Sequence, residues 1–361
     1  MEYKFAELFK WTSGKPISPS AGSIPVYGSN GIIGYTDIAK YENKIILGRV
    51  GAYCGSVAYC PSEFNATDNT LITTCDTSKI LYYFAYYLLK LYNLNSFAGG
   101  AAQPLITQSI LKRLKCDIPD LEAQRRIASI LSAYDNLIEN NNRRIRLLEQ
   151  MAENLYKEWF VRFRFPGHEK VEMGNGLPKG WRYAKLEDVL SLKDSTRIPL
   201  SSIERSNMQK IYPYYGAASI LDYVSDYLFD GVYLLLGEDG SVIDENGYPY
   251  IQYVWGKFWV NNHAHVIEKK GVYSVEFLYC MFKKMNIQSI VTGVAQPKIS
   301  QGRLFNKKVI IPCDSIISLF DKQIQPIFAE IRQLTNQTSL LTRQRDLLLP
   351  RLMSGKIAVN A

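Results

Sequence analysis

The sequence predicts an α/β (α+β) fold with a two-fold internal repeat, in which two globular domains are separated by two long antiparallel coiled-coil helices. Three observations predict it. The segment around Gln103 returns around Gln296, an offset of 193 residues. Each copy is β-rich, with short apolar runs between Gly, Asn, Asp and Pro residues, and each is followed by apolar residues in heptad spacing. A repeat of this length is a duplicated domain, because solenoid units span only a few tens of residues.

Composition narrows the class of protein. The chain has 361 residues, 47% of them hydrophobic and 21% charged, which predicts two or three globular domains. It shows no run of about 18 apolar residues and no signal peptide, so we expect a cytoplasmic protein. The six cysteines show no CxxC pairing and predict reduced thiols. A net charge of +8 permits an anionic partner such as nucleic acid, and the 25 tyrosines suit contact surfaces.

The order of elements follows from these signals. Apolar runs such as 44–47 and 232–236 predict strands, and one helix is predicted within each globular copy, at 80–94 and 275–285. The Gly- and Pro-rich stretch between the copies predicts a connector. We predict five segments with these bounds: globular domain 1–120, helix 121–162, linker 163–180, globular domain 181–312 and helix 313–361.

The two long helices have matching seams. Each is predicted to span about 40 residues, or roughly 60 Å, and antiparallel pairing would give a rod with a globular domain at each end. The alternative is that each helix packs only on its own domain. Polar seam positions at Asn141, Thr338 and Arg345 can fix the register of pairing. The remaining seam positions are apolar: Ile127, Leu131, Tyr134, Ile138, Ile145, Leu148, Ala152, Leu155 and Trp159, then Phe320, Ile324, Ile327, Ile331, Leu334, Leu341, Leu348 and Leu352.

Several motifs recur in both halves at corresponding places. In chain order, the copies and the segments that follow them carry VYGSNGIIGYTD, GGAAQPLITQSILKRLKCDIP followed by QRRIASIL, then LPKGW, then GVAQPKIS and the final LLTRQRDLLLPRLMSGKI. Together with the order of domains and helices, they resemble the specificity subunit of a type I restriction-modification system over nearly the whole chain.

This resemblance implies a function. The globular copies would be target recognition domains, each binding one half of a bipartite double-stranded DNA sequence. The helices would set the spacing and dock two methyltransferase (modification) subunits, and motor-nuclease (restriction) subunits would complete the complex. No cofactor is expected in this chain: S-adenosylmethionine belongs to the methyltransferase, and ATP and Mg to the motor-nuclease.

A subunit that only recognises DNA should lack catalytic motifs, and none is evident. The sequence has no Asn/Asp-Pro-Pro-aromatic tetrad, and the stretch from Gly174 to Gly180 does not match the phosphate-binding loop. Three histidines are present, and His263 and His265 would share one face of a strand. A metal site there is conceivable, but without an evident third ligand we expect a recognition or packing role and no metal.

In the first copy, small and polar turn residues are the candidates for DNA contact. Asn in the Gly28-Ser29-Asn30 turn can pair with adenine, although an ordinary tight turn explains the same residues. Arg49 lies between glycines near Tyr53 and is predicted to bind a guanine edge or a phosphate. Asn69 lies in another turn. Gln103 belongs to a motif shared by both copies, which favours a backbone-contacting or structural role over base recognition.

In the second copy, the counterparts differ. Arg49 and the following Val become Glu238 and Asp239, and the Asn69 turn now carries His263. The two halves should therefore recognise different sequences, which makes the target asymmetric. The remaining candidates for DNA contact in this copy are Tyr215, Gln296 and Lys298.

The long helices carry the candidate partner contacts. Basic residues of the first helix either form a solvated face or meet the methyltransferases, and Trp159 either caps the coiled coil or anchors a partner. The candidates for partner binding are Arg143, Arg144, Leu148, Leu155, Trp159, Leu341 and Leu348. The rival hypothesis is a two-domain structural or assembly protein that binds a protein or glycan, since the repeat and heptads alone would allow it.

Overall fold

The computed structural model describes residues 1–100, 104–293 and 295–357. The chain divides into two compact units. Unit 1 comprises Met1–Asn140 with Gln337–Ala361, and unit 2 comprises Asn141–Asn336. Each long helix therefore contributes residues to both units. Within the described ranges, no helix combines the length and apolar character needed to cross a membrane.

The first half of the chain is β-rich and ends in a long helix. Its strands and α-helices are β1 (Glu2–Lys4), α1 (Phe5–Leu8), β2 (Phe9–Ser13), β3 (Ile24–Gly28), β4 (Gly31–Thr36), β5 (Tyr41–Gly48), β6 (Val57–Ala66), β7 (Thr70–Cys75), α2 (Tyr82–Leu91), α3 (Gln108–Arg113), β8 (Lys115–Asp117) and α4 (Leu121–Tyr156).

A π-helical turn, Lys157–Val161, continues α4, and the connector then forms a small hairpin. The second half repeats the plan of the first. The remaining elements are β9 (Met173–Gly174), β10 (Leu177–Pro178), β11 (Arg182–Lys185), α5 (Leu186–Val189), β12 (Leu190–Leu192), α6 (Ser202–Ser206), β13 (Tyr212–Tyr215), β14 (Ile220–Val224), β15 (Phe229–Gly237), β16 (Ile251–Val260), β17 (Ala264–Lys269), α7 (Val275–Lys283), α8 (Gln301–Phe305), β18 (Lys308–Ile311) and α9 (Asp314–Met353).

Sheet topology confirms the internal repeat. In the described part of unit 1 the main sheet has six strands in the order β2-β7-β5-β6-β3-β4, and in unit 2 the order is β12-β17-β15-β16-β13-β14. The strand at each place in one sheet thus corresponds to the strand at the same place in the other sheet. Neighbouring strands are antiparallel except for the pairs β3–β6 and β13–β16, which are parallel in both copies. The predicted combination of β-rich domains and two long helices is confirmed.

The core of unit 1 lies between the sheet, α2 and the long helices. Phe84 and Leu88 lie one helical turn apart on α2, and both are buried against the sheet because residues at i and i+4 share a helix face. Ile127 and Leu131 of α4 join this core together with Leu352 of α9. The heptad positions of α4 therefore face apolar partners, as the seam predicts.

The core of unit 2 is built around aromatic rings. Phe160 packs edge-on against Phe277 of α7 and Phe320 of α9, with ring centroids 5.4 and 4.8 Å apart. Trp159 contacts Phe320 in the same way at 5.6 Å. These contacts place the end of the first long helix inside the core of this unit.

Each unit pairs the two helices in antiparallel fashion. In unit 1, Ile127 packs in the core that contains Leu352, and Asp135 further along α4 forms an ion pair with the earlier Arg345 of α9. Tyr87 of α2 donates a hydrogen bond to the same carboxylate at 2.7 Å. The charged seam position Arg345 is therefore matched by a carboxylate.

Unit 2 has its own polar links to the helices. Arg144 forms an ion pair with Glu330 between the two helices. Arg332 of α9 hydrogen-bonds to the hydroxyl of Tyr253, which donates to the buried Glu276 at 2.6 Å. Burial and the nearby carboxylate of Glu276 raise the pKa of the Tyr253 hydroxyl, so it stays a donor.

Candidate nucleic-acid interface

The loops that follow β3, β5 and β6 meet in unit 1. The hydroxyl of Ser29 donates to the carbonyl of Asn69 at 2.7 Å, and the carbonyl of Ser29 accepts from the hydroxyl of Ser56 at 2.5 Å. The amide of Arg49 donates to the same Asn69 carbonyl at 2.9 Å. We call residues 28–30, 48–53, 67–69 and 104–107 the first loop cluster. It brings together the residues predicted from three distant parts of the sequence.

Unit 2 has the same arrangement. The amide of Glu238 donates to the carbonyl of His263 at 2.8 Å, as Arg49 does to Asn69. The amide of Asn261 donates to the carbonyl of Tyr215 at 3.0 Å, and its counterpart bond closes the corresponding turn in unit 1. We call residues 215–218, 237–241, 261–263 and 295–300 the second loop cluster.

Glycines and a shared proline fix the loop after β5 and after β15. Gly51 and Gly240 have φ of +79° and +77°, a backbone conformation that other residues adopt only with strain. Their amides donate to the carbonyls of Pro104 and Pro297 at 2.9 and 3.0 Å. In each unit, the proline of the repeated motif therefore holds the loop through backbone atoms alone.

The rest of the repeated motif is also structural. Ile106 and Ile299 are fully buried, and their amides donate to the carbonyls of Arg49 and Glu238. The next residues, Thr107 and Ser300, cap the N-termini of α3 and α8 with their hydroxyls. These roles agree with the expectation that the motif holds the loop.

The two motif glutamines are placed differently with respect to the described residues. The side chain of Gln296 is exposed beside the second loop cluster. Gln103, predicted as its counterpart, lies outside the described residues. A role for Gln296 in contacting DNA stays a prediction.

The first loop cluster offers a guanidinium and two amides. Arg49 is half-buried. Its Nε is buried and has no hydrogen-bond partner among the described residues, while Nη1 only approaches the Ser13 hydroxyl at 3.4 Å. Asn30 and Asn69 are exposed, and Tyr53 is 61% exposed. These donors and acceptors are the groups that pair with base edges in the major groove.

In unit 2, the position that corresponds to Arg49 belongs to a buried hydrogen-bond network. Glu238 stands at its position, and the carboxylate accepts a hydrogen bond from Arg197 at 2.7 Å with only 15% of the side chain exposed. Arg197 also donates to the carbonyl of Ala264 at 2.6 Å. Glu238 is thus engaged by Arg197 and supports the loop, and a role for it in contacting DNA stays a prediction.

Sequence reasoning missed Arg197. Its partners Glu238 and Ala264 lie 41 and 67 residues further along the chain. Nothing in the residues adjacent to Arg197 in the sequence indicates such contacts.

Asp194 and His265 complete the network. Nδ1 of His265 lies 2.6 Å from the Asp194 carboxylate and Nε2 lies 2.8 Å from the carbonyl of Ile299. Burial by itself would raise the pKa of Asp194, but hydrogen bonds from His265, the Val266 amide and Gln301 outweigh it, so the pKa lies below its usual value. Asp194 is thus held as a carboxylate inside the unit.

The same residues are the candidate metal ligands. Ligand atoms of Asp194, Glu238 and His265 lie within 4.8 Å of one another. However, Arg197 already supplies a positive charge to this group, and both ring nitrogens of His265 face oxygen acceptors. The group is satisfied as an ion-pair network, and we assign it a structural role.

The expectation that His263 and His265 share a strand face is wrong. Strand β17 begins at Ala264, so His263 lies in the preceding turn and is exposed, whereas His265 is buried in the strand. Nδ1 of His263 hydrogen-bonds to Asp239, and Lys298 lies exposed beside it through a β-bridge with Asp239.

Tyr215 is an exception among the candidates in this cluster. Its ring packs edge-on against Phe258 at 5.7 Å, and burial raises its pKa to about 12. The side chain therefore contributes to packing of the sheet, and the backbone carbonyl bonds to the neighbouring turn; a role for Tyr215 in contacting DNA stays a prediction.

The candidate partner contacts differ in exposure. Arg143 is exposed, and Arg144 is exposed but paired with Glu330. Trp159 is buried against Phe320, which favours capping of the helix pair over anchoring of a partner. The four leucines are half-buried: Leu148, Leu155, Leu341 and Leu348. Leu148 and Leu155 pack against the core of unit 2, and Leu348 packs against the core of unit 1.

Comparisons with known proteins agree with this architecture. A family model described as type I restriction modification DNA specificity domain matches residues 2–150 and 178–348. The type I restriction enzyme MjaIX specificity subunit of Methanocaldococcus jannaschii is 29% identical over 301 residues, 77% of this chain and 69% of that protein. The MjaVIII specificity subunit of the same organism is 24% identical over 356 residues, 90% of this chain and 81% of that protein.

A solved structure shares the fold. The S subunit of a type I restriction-modification system from M. genitalium superposes with a TM-score of 0.67 at 20% identity, covering 98% of this chain and 96% of that one. The two family matches cover most of the sequence and fall on its two repeats. They support DNA specificity and not the assembly-protein alternative. The chain therefore belongs to the type I restriction-modification DNA specificity domain family, as a specificity subunit with two copies of that domain.

Proposed function

We propose that this chain recognises a bipartite, asymmetric DNA target through its two loop clusters and performs no catalysis itself. One observation carries the proposal. The two clusters share a backbone held by equivalent hydrogen bonds, yet equivalent positions carry different side chains. The three differing pairs are Arg49 and Glu238, Val50 and Asp239, and Asn69 and His263. A shared scaffold with different side chains at equivalent positions is the arrangement expected for two different half-sites.

The chemistry of the exposed groups supports base recognition. The Arg49 guanidinium can pair with O6 and N7 of guanine, and the amides of Asn30 and Asn69 can pair with adenine. Lys298 is an exposed cation suited to a phosphate. Since phosphate contacts release counterions, affinity should fall as salt concentration rises.

The chain would act through partner subunits in the cytoplasm. We propose that two methyltransferase (modification) subunits use S-adenosylmethionine to methylate an adenine in each half-site. Motor-nuclease (restriction) subunits would use ATP and Mg to cleave unmodified DNA. A target adenine must leave the base stack before methylation, so the bound duplex would be held locally open. This chain would supply neither the methyl donor site nor the nuclease.

The test is a map of methylated adenines in a host that expresses this chain with its methyltransferase partner. We expect one asymmetric motif, split by a fixed gap, that appears only when this chain is present. Arg49→Ala should relax or abolish one half of the motif and leave the other half intact. Arg49→Lys keeps the charge but loses the planar fork, so it should retain binding if the contact is a phosphate and relax the motif if it is a guanine.

Lys10→Ala is the matched control. Lys10 is an exposed basic residue at the start of β2, away from Ser13 at the other end of that strand beside Arg49. Its removal should leave the motif unchanged. If an active methyltransferase produced no new methylation with the wild-type chain, the proposed function would be wrong.

A further inference from the structure

The second loop cluster contains a side-chain pair that the first cluster lacks. Nδ1 of His263 hydrogen-bonds to the carboxylate of Asp239, with 48% of the His263 side chain exposed and 18% of the Asp239 side chain. The counterparts in the first cluster are Asn69 and Val50, as the equivalent backbone bonds establish. Valine offers no acceptor, so the pair is specific to unit 2.

The pair fixes which ring nitrogen of His263 carries the proton. An ionised carboxylate accepts hydrogen bonds and donates none, so Nδ1 must be the protonated nitrogen. In the neutral ring, Nε2 is then an acceptor. Among the described residues, the structure gives Nε2 no partner, and about half of the His263 side chain is exposed.

The backbone around His263 is held on both sides. Its amide donates to the side chain of Asn261 at 2.9 Å, and its carbonyl accepts from the amide of Glu238 at 2.8 Å. Glu238 is in turn held by Arg197 at 2.7 Å. The ring is therefore presented from a fixed turn, with Asp239 setting its orientation, as a base-contacting side chain requires.

We infer that His263, oriented by Asp239, determines specificity at one position of the second half-site. Its Nε2 accepts a hydrogen bond from the exocyclic amino group of cytosine or adenine, the donors that the major groove presents. The inference rests on the proposed function and adds the residue and the type of base edge. The first half-site uses the Asn69 amide at the equivalent place.

The test measures methyl transfer by the assembled chain and its modification subunits on DNA duplexes. The duplexes carry the motif found in the genome map, with each position of both half-sites varied in turn. His263→Asn and Asp239→Val each introduce the residue that unit 1 accommodates at the same place. The matched control is Asn69→His in unit 1, where Val50 cannot orient the new ring.

We expect His263→Asn to change discrimination at a single position of the second half-site by about tenfold. Asp239→Val should weaken discrimination at the same position, because it frees Nδ1 and lets the other tautomer form. The double variant should be no worse than His263→Asn, since both changes remove one interaction. Discrimination at the first half-site should stay unchanged in these variants. Asn69→His should instead change discrimination at the first half-site alone.

Other results would overturn the inference. If both single variants methylated the same sequences as the wild type, His263 would not contact a base, while the proposed function would stand. Loss of methylation on every duplex by folded, assembled variants would assign the pair a structural role instead. If the wild-type complex methylated no duplex, the proposed function itself would fail.

Discussion

The side chain of Gln124 connects the start of the first long helix to the β-rich part of unit 1. It is fully buried, and its amide makes three hydrogen bonds. Nε2 donates to the carbonyls of Lys79 and Pro119 at 2.8 and 2.9 Å, and Oε1 accepts from the amide of Leu81 at 3.0 Å. Replacing Gln124 by Met keeps the volume and removes all three bonds, and replacing it by Ala removes packing as well.

The magnitude follows from those contacts. A typical intramolecular hydrogen bond contributes about 1 kcal/mol net, so Gln124→Met should lower the free energy of unfolding of unit 1 by about 3 kcal/mol. Because the substitution leaves the Leu81 amide without an acceptor, we expect a loss of at least this size. Gln124→Ala also loses about 1.5 kcal/mol of buried methylene packing, for a total near 4–5 kcal/mol.

Urea unfolding followed by circular dichroism measures the loss in unfolding free energy, and hydrogen exchange measures the protection of the Leu81 amide. For a unit of this size, a loss of about 3 kcal/mol corresponds to a fall in Tm of roughly 6–12 °C. The neighbouring Arg125 is exposed, so Arg125→Ala should stay within about 0.5 kcal/mol of the wild type. A loss below about 1 kcal/mol in Gln124→Met, with the Leu81 amide still protected, would refute the reasoning.

Three further predictions concern ionisable groups. Arg345→Ala should destabilise unit 1 by about 2 kcal/mol, because it leaves the carboxylate of Asp135 without its ion pair; a double-mutant cycle with Asp135→Asn in urea unfolding should show coupling, and additive losses would contradict it. Asp194 has a lowered pKa when folded, so its stabilising contribution is present above about pH 4 and is lost as pH falls through the folded pKa. The gap in unfolding free energy between wild type and Asp194→Asn should therefore narrow on acidification below about pH 4, and a constant gap would exclude this linkage. Burial raises the pKa of the Cys75 thiol to about 12, so it should react with a thiol reagent far more slowly than the half-buried Cys313 in the native protein; equal rates, followed by mass spectrometry, would argue against it.

Periodicity and repetition were sufficient to predict the large features of the fold. Heptad spacing identified both long helices, because an apolar seam leaves a direct trace in the sequence. The repeated glycines and proline identified the loops that meet in each unit, since Gly51 and Gly240 are required by backbone conformation. Strand order was not predictable, because the parallel pairing of β3 with β6 depends on contacts between residues far apart in sequence.

The polar side-chain contacts inside unit 2 were also not predictable from the sequence. Asp194, Arg197 and His265 have no motif spacing, and their hydrogen bonds join segments roughly 40 to 70 residues apart. The expected alternation of His263 and His265 failed because the turn extends one residue further than the pattern suggests. Individual side-chain partners are set by three-dimensional packing, and local patterns carry little information about them.

The backbone bonds from Gly51 to Pro104 and from Gly240 to Pro297 have a consequence for how such a protein changes over time. Because main-chain atoms hold these loops, the outward-facing side chains can be exchanged at little cost in folding free energy. The two copies already show this tolerance at one exposed position, where the first has Asn69 and the second has His263. New target preferences could thus arise by single substitutions, one half of the target at a time, while the other half continues to be recognised.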